Sequence, residues 1–317
     1  MPQAPNQFNV EWVYVEEVSW GTTPGTPETK RLPVINGDIG LERPLGTPGY
    51  MHDDRSRGKA FPGKYTAGGR LLLSLQLENI GTILKHVLGG TVQTTGTGPY
   101  THVIPGGALP PGLTIEKWLS DFGGTNKSWR YPGSRINRLR LQFAKDALRA
   151  ELDVLAKTEA ASATRLDSTP TLVLSTDLDS FTATIKRGGT AVSGLIEGEV
   201  VVENEIAGDE FTLADQGRYS LNPGARKVSG KIRGFFEDET HYNAFLAGTG
   251  AIHEFSIVSG TSSLKIEVLS ALLHGKPISE ATRERGGSLV QDYNYEGNPD
   301  VNFNNVKATL INNQSTI

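Results

Sequence analysis

The side chains able to do chemistry are present in this chain, but not at the spacings that chemistry needs. Gly58-Lys59-Ala60-Phe61-Pro62-Gly63-Lys64 has the outline of a phosphate-binding loop. Such a loop follows a buried strand, opens a helix and holds magnesium with a Ser or Thr after its lysine. Here Tyr65 takes that place and neither flanking element is evident, so the segment reads as a basic loop. The six histidines, His52, His86, His102, His241, His253 and His274, fall at no metal-ligand spacing, and His253-Glu254 lacks the second histidine of a zinc-protease helix. No Gly-x-Ser-x-Gly elbow occurs. The absence of cysteine removes disulfides, thiolate zinc sites, iron–sulfur clusters and thiol nucleophiles together. Asn126-Lys127-Ser128 is a glycosylation sequon that matters only in a secreted chain, and the opening residues have no signal-peptide shape. The sequence is that of a protein expected to be no enzyme and to need no metal or cofactor.

Two polar patterns are more informative. Read as a strand, Glu197–Glu205 places Glu197, Glu199, Val201, Glu203 and Glu205 on one face, about 6.6 Å apart, with Gly198, Val200 and Val202 opposite. An earlier segment carries Asn36, Asp38, Gly40 and Glu42 in the same phase. Like charges along a strand repel one another. The face is therefore a solvated edge, a calcium site completed by other loops, or a surface that must repel a polyanion. The second pattern is the loop Pro44–Gly68, rich in glycine, with the mixed charges Asp53, Asp54, Arg55, Arg57 and Lys59. Loops beyond about 12–15 residues are usually functional or disordered, and this one suits a segment that orders against a partner.

Most elements able to position these residues are strands. Leu148, Ala150, Leu152 and Val154 alternate with Arg149, Glu151 and Asp153, the mark of a half-buried strand. Strands are also expected at Leu71–Leu77, Arg138–Phe143, Phe181–Lys186, Val228–Phe236, Leu264–Leu269 and Val306–Ile311. Helices are expected at Asn79–Leu88, with Ile80, Ile83, Leu84, Val87 and Leu88 on one face, and at Asp238–Ala247, with Asp238 as N-cap and Tyr242, Phe245 and Leu246 buried. With 317 residues and 37% hydrophobic content the chain can bury a core, and its net charge of -4 argues against a generally basic, nucleic-acid-holding surface. No apolar run reaches the roughly 20 residues of a membrane helix, and a soluble intracellular protein is expected.

The chain also repeats. A shift of 161 places Gly37 on Gly198, Asp38 on Glu199, Glu42 on Glu203, Gly69 on Gly230, Arg70 on Lys231 and Leu84 on Phe245. A shift of 151 brings Leu113-Thr114-Ile115-Glu116 onto Leu264-Lys265-Ile266-Glu267. Two copies of one domain are expected at 1–160 and 171–317, joined by a small, polar linker at 161–170. Ile206–Lys227 is then the counterpart of the long loop. Residues 1–160 hold 18 Lys and Arg against 15 Asp and Glu, a net +3; residues 161–317 hold 13 against 20, a net -7.

Trp20-Gly21-Thr22-Thr23-Pro24, shortly after Glu16 and Glu17, resembles the "E-x-x-W-G-T-x-P" opening of the major tail tube proteins of long-tailed, siphovirus-type bacteriophages. Tyr131-Pro132-Gly133-Ser134-Arg135-Ile136-Asn137 resembles that family's "Y-x-G-x-R-V-N" segment. The likeness covers most of residues 11–157, and the second copy lacks both motifs. It implies a mainly β fold of two tandem β-sandwich or barrel domains, each with one flanking helix. It further implies a structural virion protein of the tail, assembled in the host cytoplasm, whose copies form stacked rings through which DNA is ejected. A duplicated chain would build a pseudo-sixfold ring from three subunits rather than six. Implied partners are the chain itself, a tape measure protein, tail terminator and tip proteins, and DNA in non-specific passage. On this reading Asp38, Glu42, Glu197, Glu199, Glu203 and Glu205 line the lumen, and Asp53, Asp54, Arg55, Arg57 and Lys59 reach the next ring. The rival reading is a receptor- or carbohydrate-binding β-sandwich of the tail tip, with exposed aromatics.

Overall fold

Strict alternation makes strands throughout this chain. In Arg149–Ala156 every second residue (Ala150, Leu152, Val154, Ala156) is buried, and Arg149, Glu151 and Asp153 point away. The computed structural model describes residues 9–47, 49, 58–122, 125–144, 148–173, 175–178, 180–237, 239–277, 288–301 and 304–317. In chain order its main elements are β1 (Val10–Glu16), β2 (Val34–Gly37), β3 (Gly40–Glu42), β4 (Thr66–Ser74), α1 (Ile80–Leu88), β5 (Tyr100–Ile104), β6 (Leu113–Phe122), β7 (Thr125–Phe143) and β8 (Arg149–Ala156). They continue with β9 (Thr184–Arg187), β10 (Leu195–Glu203), β11 (Lys227–Phe235), α2 (Thr240–Ala247), β12 (Ala251–Ser259), β13 (Ser262–His274), β14 (Val290–Gly297) and β15 (Val306–Asn312). The fold is mainly β, built on one large sheet whose labelled strands all pair antiparallel.

Two layers enclose the core. The first runs β2/β3–β4–β8–β7–β10–β11–β14–β13, using only the C-terminal part of β7 and the end of β13. The second is split: β1–β6–β7 in the first half, and β9–β12–β13–β15–β5 in the second. The long strands β7 and β13 pass from one layer to the other. Strand β5 belongs to the first half by sequence, yet it pairs with β15 near the C-terminus, Ile104 with Ala308. Leu71, Leu139 and Leu152 of one layer meet Trp12, Ile115, Phe255 and Ile266 of the other in a single cluster.

Both halves use one strand order. The pairs Val34↔Leu73, Asn36↔Leu72, Gly37↔Leu71, Gly40↔Gly68, Leu41↔Ala67 and Glu42↔Thr66 recur, each 161 residues later, as Leu195↔Gly234, Glu197↔Arg233, Gly198↔Ile232, Val201↔Ser229, Val202↔Val228 and Glu203↔Lys227. A bulge interrupts both ladders at the same step, after Val34 and after Leu195. The shared glycines have a packing reason. A Cβ on Gly198 would lie 2.2 Å from Ile185 and one on Gly230 2.0 Å from the Glu199 carbonyl; on Gly37 and Gly69 the closest approaches are 2.7 Å. Beyond the helix the correspondence differs from the sequence expectation. By place in the sheet Leu113–Phe122 answers to Ala251–Ser259, and Thr125–Phe143 to Ser262–His274. The four-residue likeness at a shift of 151 joins strands with different neighbours.

Other expectations are corrected. The strand expected at Leu71–Leu77 is Thr66–Ser74, because its glycines can pair where bulkier residues would clash. Strand β10 ends at Glu203, and Glu205 turns off at φ 43. Asn204 is buried between them, donating to the carbonyls of Val87 and Ile136. Helix α1 is as expected, with eight of nine residues buried. Helix α2 is not: none of its residues is buried and Leu246 is 63% exposed. The expected N-cap Asp238 lies outside the described residues. The expected linker is not free. Ala160–Ser162 pairs with β7, Asp167 accepts from the Thr29 amide, and Arg165 ion-pairs with Glu11 at 2.6 Å.

Candidate functional site

The outward face of the eight-strand layer is the most organised polar surface of the molecule, and charge sign alternates from strand to strand across it. Strand β4 brings Arg70; β8 brings Glu151 and Asp153; β7 brings Arg138 and Arg140; β10 brings Glu197, Glu199 and Glu203; β11 brings Lys231 and Arg233; β14 brings Asp292. Each of these acidic strands lies between two basic ones or beside one. The closest contacts are Arg140 to Glu199 at 2.6 Å, Arg70 to Asp153 and Arg138 to Glu203 at 3.1 Å, and Arg233 to Asp292 at 3.4 Å. Hydrogen bonding to Glu199 is the main reason the Arg140 guanidinium is held above its usual range. Such half-exposed pairs stabilise by about 0.2–1 kcal/mol each. What they do jointly is remove the repulsion along β10: its carboxylates are flanked by opposite charge on both sides.

The structure therefore places the six expected lumen carboxylates in three settings. Glu197, Glu199 and Glu203 lie on the charged face in ion pairs. Glu42 and Asp38 are exposed at the open edge of the same layer, and Asp38 accepts from the Arg70 amide. Glu205 stands off the face, exposed after the turn. The cations that sequence reasoning missed were visible as alternation in Arg138-Leu139-Arg140-Leu141 and Lys231-Ile232-Arg233. Of the loop residues, Asp53, Asp54, Arg55 and Arg57 lie outside the described residues, and Lys59 is exposed. The base of that loop is a hairpin, Leu45↔Pro62 and Gly46↔Phe61, with Leu45 and Phe61 exposed. Around it Arg43 donates to Gln216, Lys64 to the Thr212 carbonyl and the Tyr65 amide to the Gln216 carbonyl, so the long loop and its counterpart touch.

The two sequence motifs meet in space. The Glu17 carboxylate, buried, accepts from the amides of Gly21 at 2.6 Å and Gly133 at 2.8 Å and from the Thr114 hydroxyl at 2.7 Å. The Trp20 indole donates to the Gly133 carbonyl, and Lys157 lies 5.0 Å over the Trp20 ring. The Asn137 side chain accepts from the Ile206 amide, fastening the second half where β10 ends. Arg218, from the loop before β11, reaches back to the carbonyls of Ala67, Ala156 and Gly208; burial lowers its pKa.

Among the described residues the tryptophans form no exposed platform. Trp12 and Trp118 are buried, Arg165 covers Trp118, and Lys117 sits over both Trp12 and Trp129. Among the described residues no cluster of three or more His, Asp or Glu could hold a metal ion. No described helix is long and apolar enough to cross a membrane. A model of the family described as phage tail tube protein matches residues 8–305. No curated protein matches the chain.

Proposed function

The chain belongs to the phage tail tube protein family, a structural component of the virion tail and not an enzyme, and from that premise we propose that it closes through its two open sheet edges into rings that stack as the conduit for viral DNA. The observation that carries the reading is the eight-strand layer. Among the described residues no strand pairs with the outer side of β2–β3, and none beyond Ala271 with the outer side of β13. Open edges invite pairing, and closure into a barrel removes them.

We read the halves as tandem copies of one tube domain, 1–160 and 171–317, from the ladders that recur at a spacing of 161. Barrel size then favours three copies per ring. Three chains supply three times eight strands; at about 4.8 Å spacing and a tilt of about 40° the backbone circle is about 48 Å across. Inward side chains leave about 36 Å, enough for a duplex of about 20 Å. By the same estimate two copies leave about 20 Å and six about 84 Å. The charged face lines this lumen. DNA would meet carboxylates of Glu197, Glu199 and Glu203 whose neighbours Arg138, Arg140, Lys231 and Arg233 are engaged in ion pairs, with Asp38 and Glu42 at the seams, so these four cations are not free to grip the phosphates. The loop 44–68 reaches the next ring, with Asp53, Asp54, Arg55, Arg57 and Lys59 at its tip. The tail is of the long, siphovirus type, and the tape measure, terminator and tip proteins are the expected partners.

Negative-stain microscopy with native mass measurement, on concentrated purified protein, tests this. Rings of three copies, stacking into tubes, are expected. A chain that stays monomeric when crowded rejects the assembly, and six copies per ring rejects the stoichiometry. Removing residues 53–59 should leave rings that no longer stack; unimpaired tubes would reject that role for the loop.

A further inference from the structure

The chain already contains one junction between its halves, β7 against β10, and the repeat shows which residues stand ready to make the same junction elsewhere. In the internal junction Arg138 is opposite Glu203, Leu139 opposite Val202 and Arg140 opposite Val201, with Arg140 reaching diagonally to Glu199. The counterparts follow from the ladders. On the acidic side Glu42 answers to Glu203, Leu41 to Val202, Gly40 to Val201 and Asp38 to Glu199. On the basic side His274 faces Asn294 across β13–β14 as Arg138 faces Asp153 across β7–β8. The Asp292 amide then donates to the Pro277 carbonyl at 2.9 Å, which puts Pro277 in the place that Arg140 holds opposite Glu151, with the cation Lys276 one residue before it.

Burial separates made from unmade. Val202 is 2% exposed; its counterpart Leu41 is 43% exposed. Helix α1, beside the internal junction, is held by the second half: the Arg226 side chain donates to the Leu88 carbonyl and Asn204 to that of Val87. Its counterpart α2, on the outer flank, is buried nowhere. The two flanks are complementary, the carboxylates Asp38 and Glu42 on one, the imidazole of His274 and the cation Lys276 on the other.

We infer that the occupant of both flanks is a second copy of this chain, β2–β3 of one copy pairing antiparallel with the strand end that begins at Leu272 of the next, His274 opposite Glu42 and Lys276 toward Asp38. This rests on the ring reading above and adds its register. Each ring then alternates two seams of one design, one within the chain and one between chains. The apolar contact buried at the first by Val202 is supplied at the second by Leu41.

The absence of cysteine allows a direct test. Directly opposed Cβ atoms lie about 4.5–5.5 Å apart, near the reach of a disulfide, whereas a shift of two residues moves the partner by about 6.6 Å. Both target side chains are exposed, so the fold should tolerate their replacement. The double variant Glu42→Cys with His274→Cys, assembled and mildly oxidised, should give a reducible ladder ending at the covalent ring on a non-reducing gel. Glu42→Cys with Leu272→Cys should give at least tenfold less, and each single variant no ladder beyond two chains. Equal or stronger linking in the shifted pair, or none in either pair while the unaltered protein still forms rings by microscopy, overturns the register. If the unaltered protein forms no rings, the ring reading fails and this inference with it.

Discussion

Helices α1 and α2 hold the same place in two strand series whose ladders agree residue by residue, yet one is the most buried element of the molecule and the other is buried nowhere. The comparison teaches that hairpin geometry and helix burial have different origins. The hairpins agree because their own glycines and alternation fix how closely neighbouring strands approach. Helix α1 is buried because something lies over it: Gly81 sits against Ile317 and Leu310, and Lys85 donates to the Ile317 carbonyl. Helix α2 has the same neighbour beneath it but no second half above.

The comparison can be broken at four points, from the largest effect to the smallest. Leu84→Ala removes a fully buried side chain and should cost about 3 kcal/mol in urea unfolding. Phe245→Ala, its counterpart in α2, should cost under about 1 kcal/mol in the monomer. Equal losses would mean that α2 is packed in solution. Glu17→Ala strips two buried donors and one half-buried donor of their acceptor and should cost about 2–3 kcal/mol. Among the described residues the second half shows no such latch, so proteolysis of this variant should shift its first cuts from the second half to the first.

The third point is a pH dependence. His253 and Ile115 occupy the same place in their strands, and both are buried. Burial foremost, then the Arg187 and His241 charges, lowers the His253 pKa to about 3, and neither ring nitrogen has a hydrogen-bond partner among the described residues. Unfolded, the imidazole takes up its proton near pH 6.5; folded, it does not until about 3. Stability from this group is therefore complete above pH 6.5 and is lost as pH falls toward 3, at up to about 1.4 kcal/mol per pH unit. His253→Phe, which keeps the edge-on ring packing against Tyr295, should flatten that limb of the stability curve. An unchanged limb would assign acid sensitivity elsewhere. Last, Arg140→Ala opens the internal seam on its exposed side. A loss of about 0.5–1 kcal/mol is expected, shrinking as salt rises. A salt-independent loss would mean that the guanidinium acts through packing.

Much of the local structure was legible beforehand, because the period of a strand or helix is a property of neighbouring residues. Arg149–Ala156 announced its two faces, α1 its apolar stripe and its stop at Gly89, and the glycines at 37, 69, 198 and 230 announced a repeated hairpin. The same logic failed wherever burial depends on a distant segment. Tyr242, Phe245 and Leu246 have the spacing of a core stripe, yet among the described residues none packs over them closely enough to bury any of the three. Leu113–Glu116 and Leu264–Glu267 share a pattern that says nothing about which strand lies beside them.

The carboxylates of β10 mark the division most sharply. Their alternation, and hence their common face, is written in residues 197–203, since successive side chains of any strand point opposite ways. What that face means was decided by strands some 60 and 30 residues away in sequence, which bring Arg138 and Arg140 to one side and Lys231 and Arg233 to the other. Charge falls off over a few ångströms, so its partners are set by neighbours in space, and only the assembled sheet supplies those.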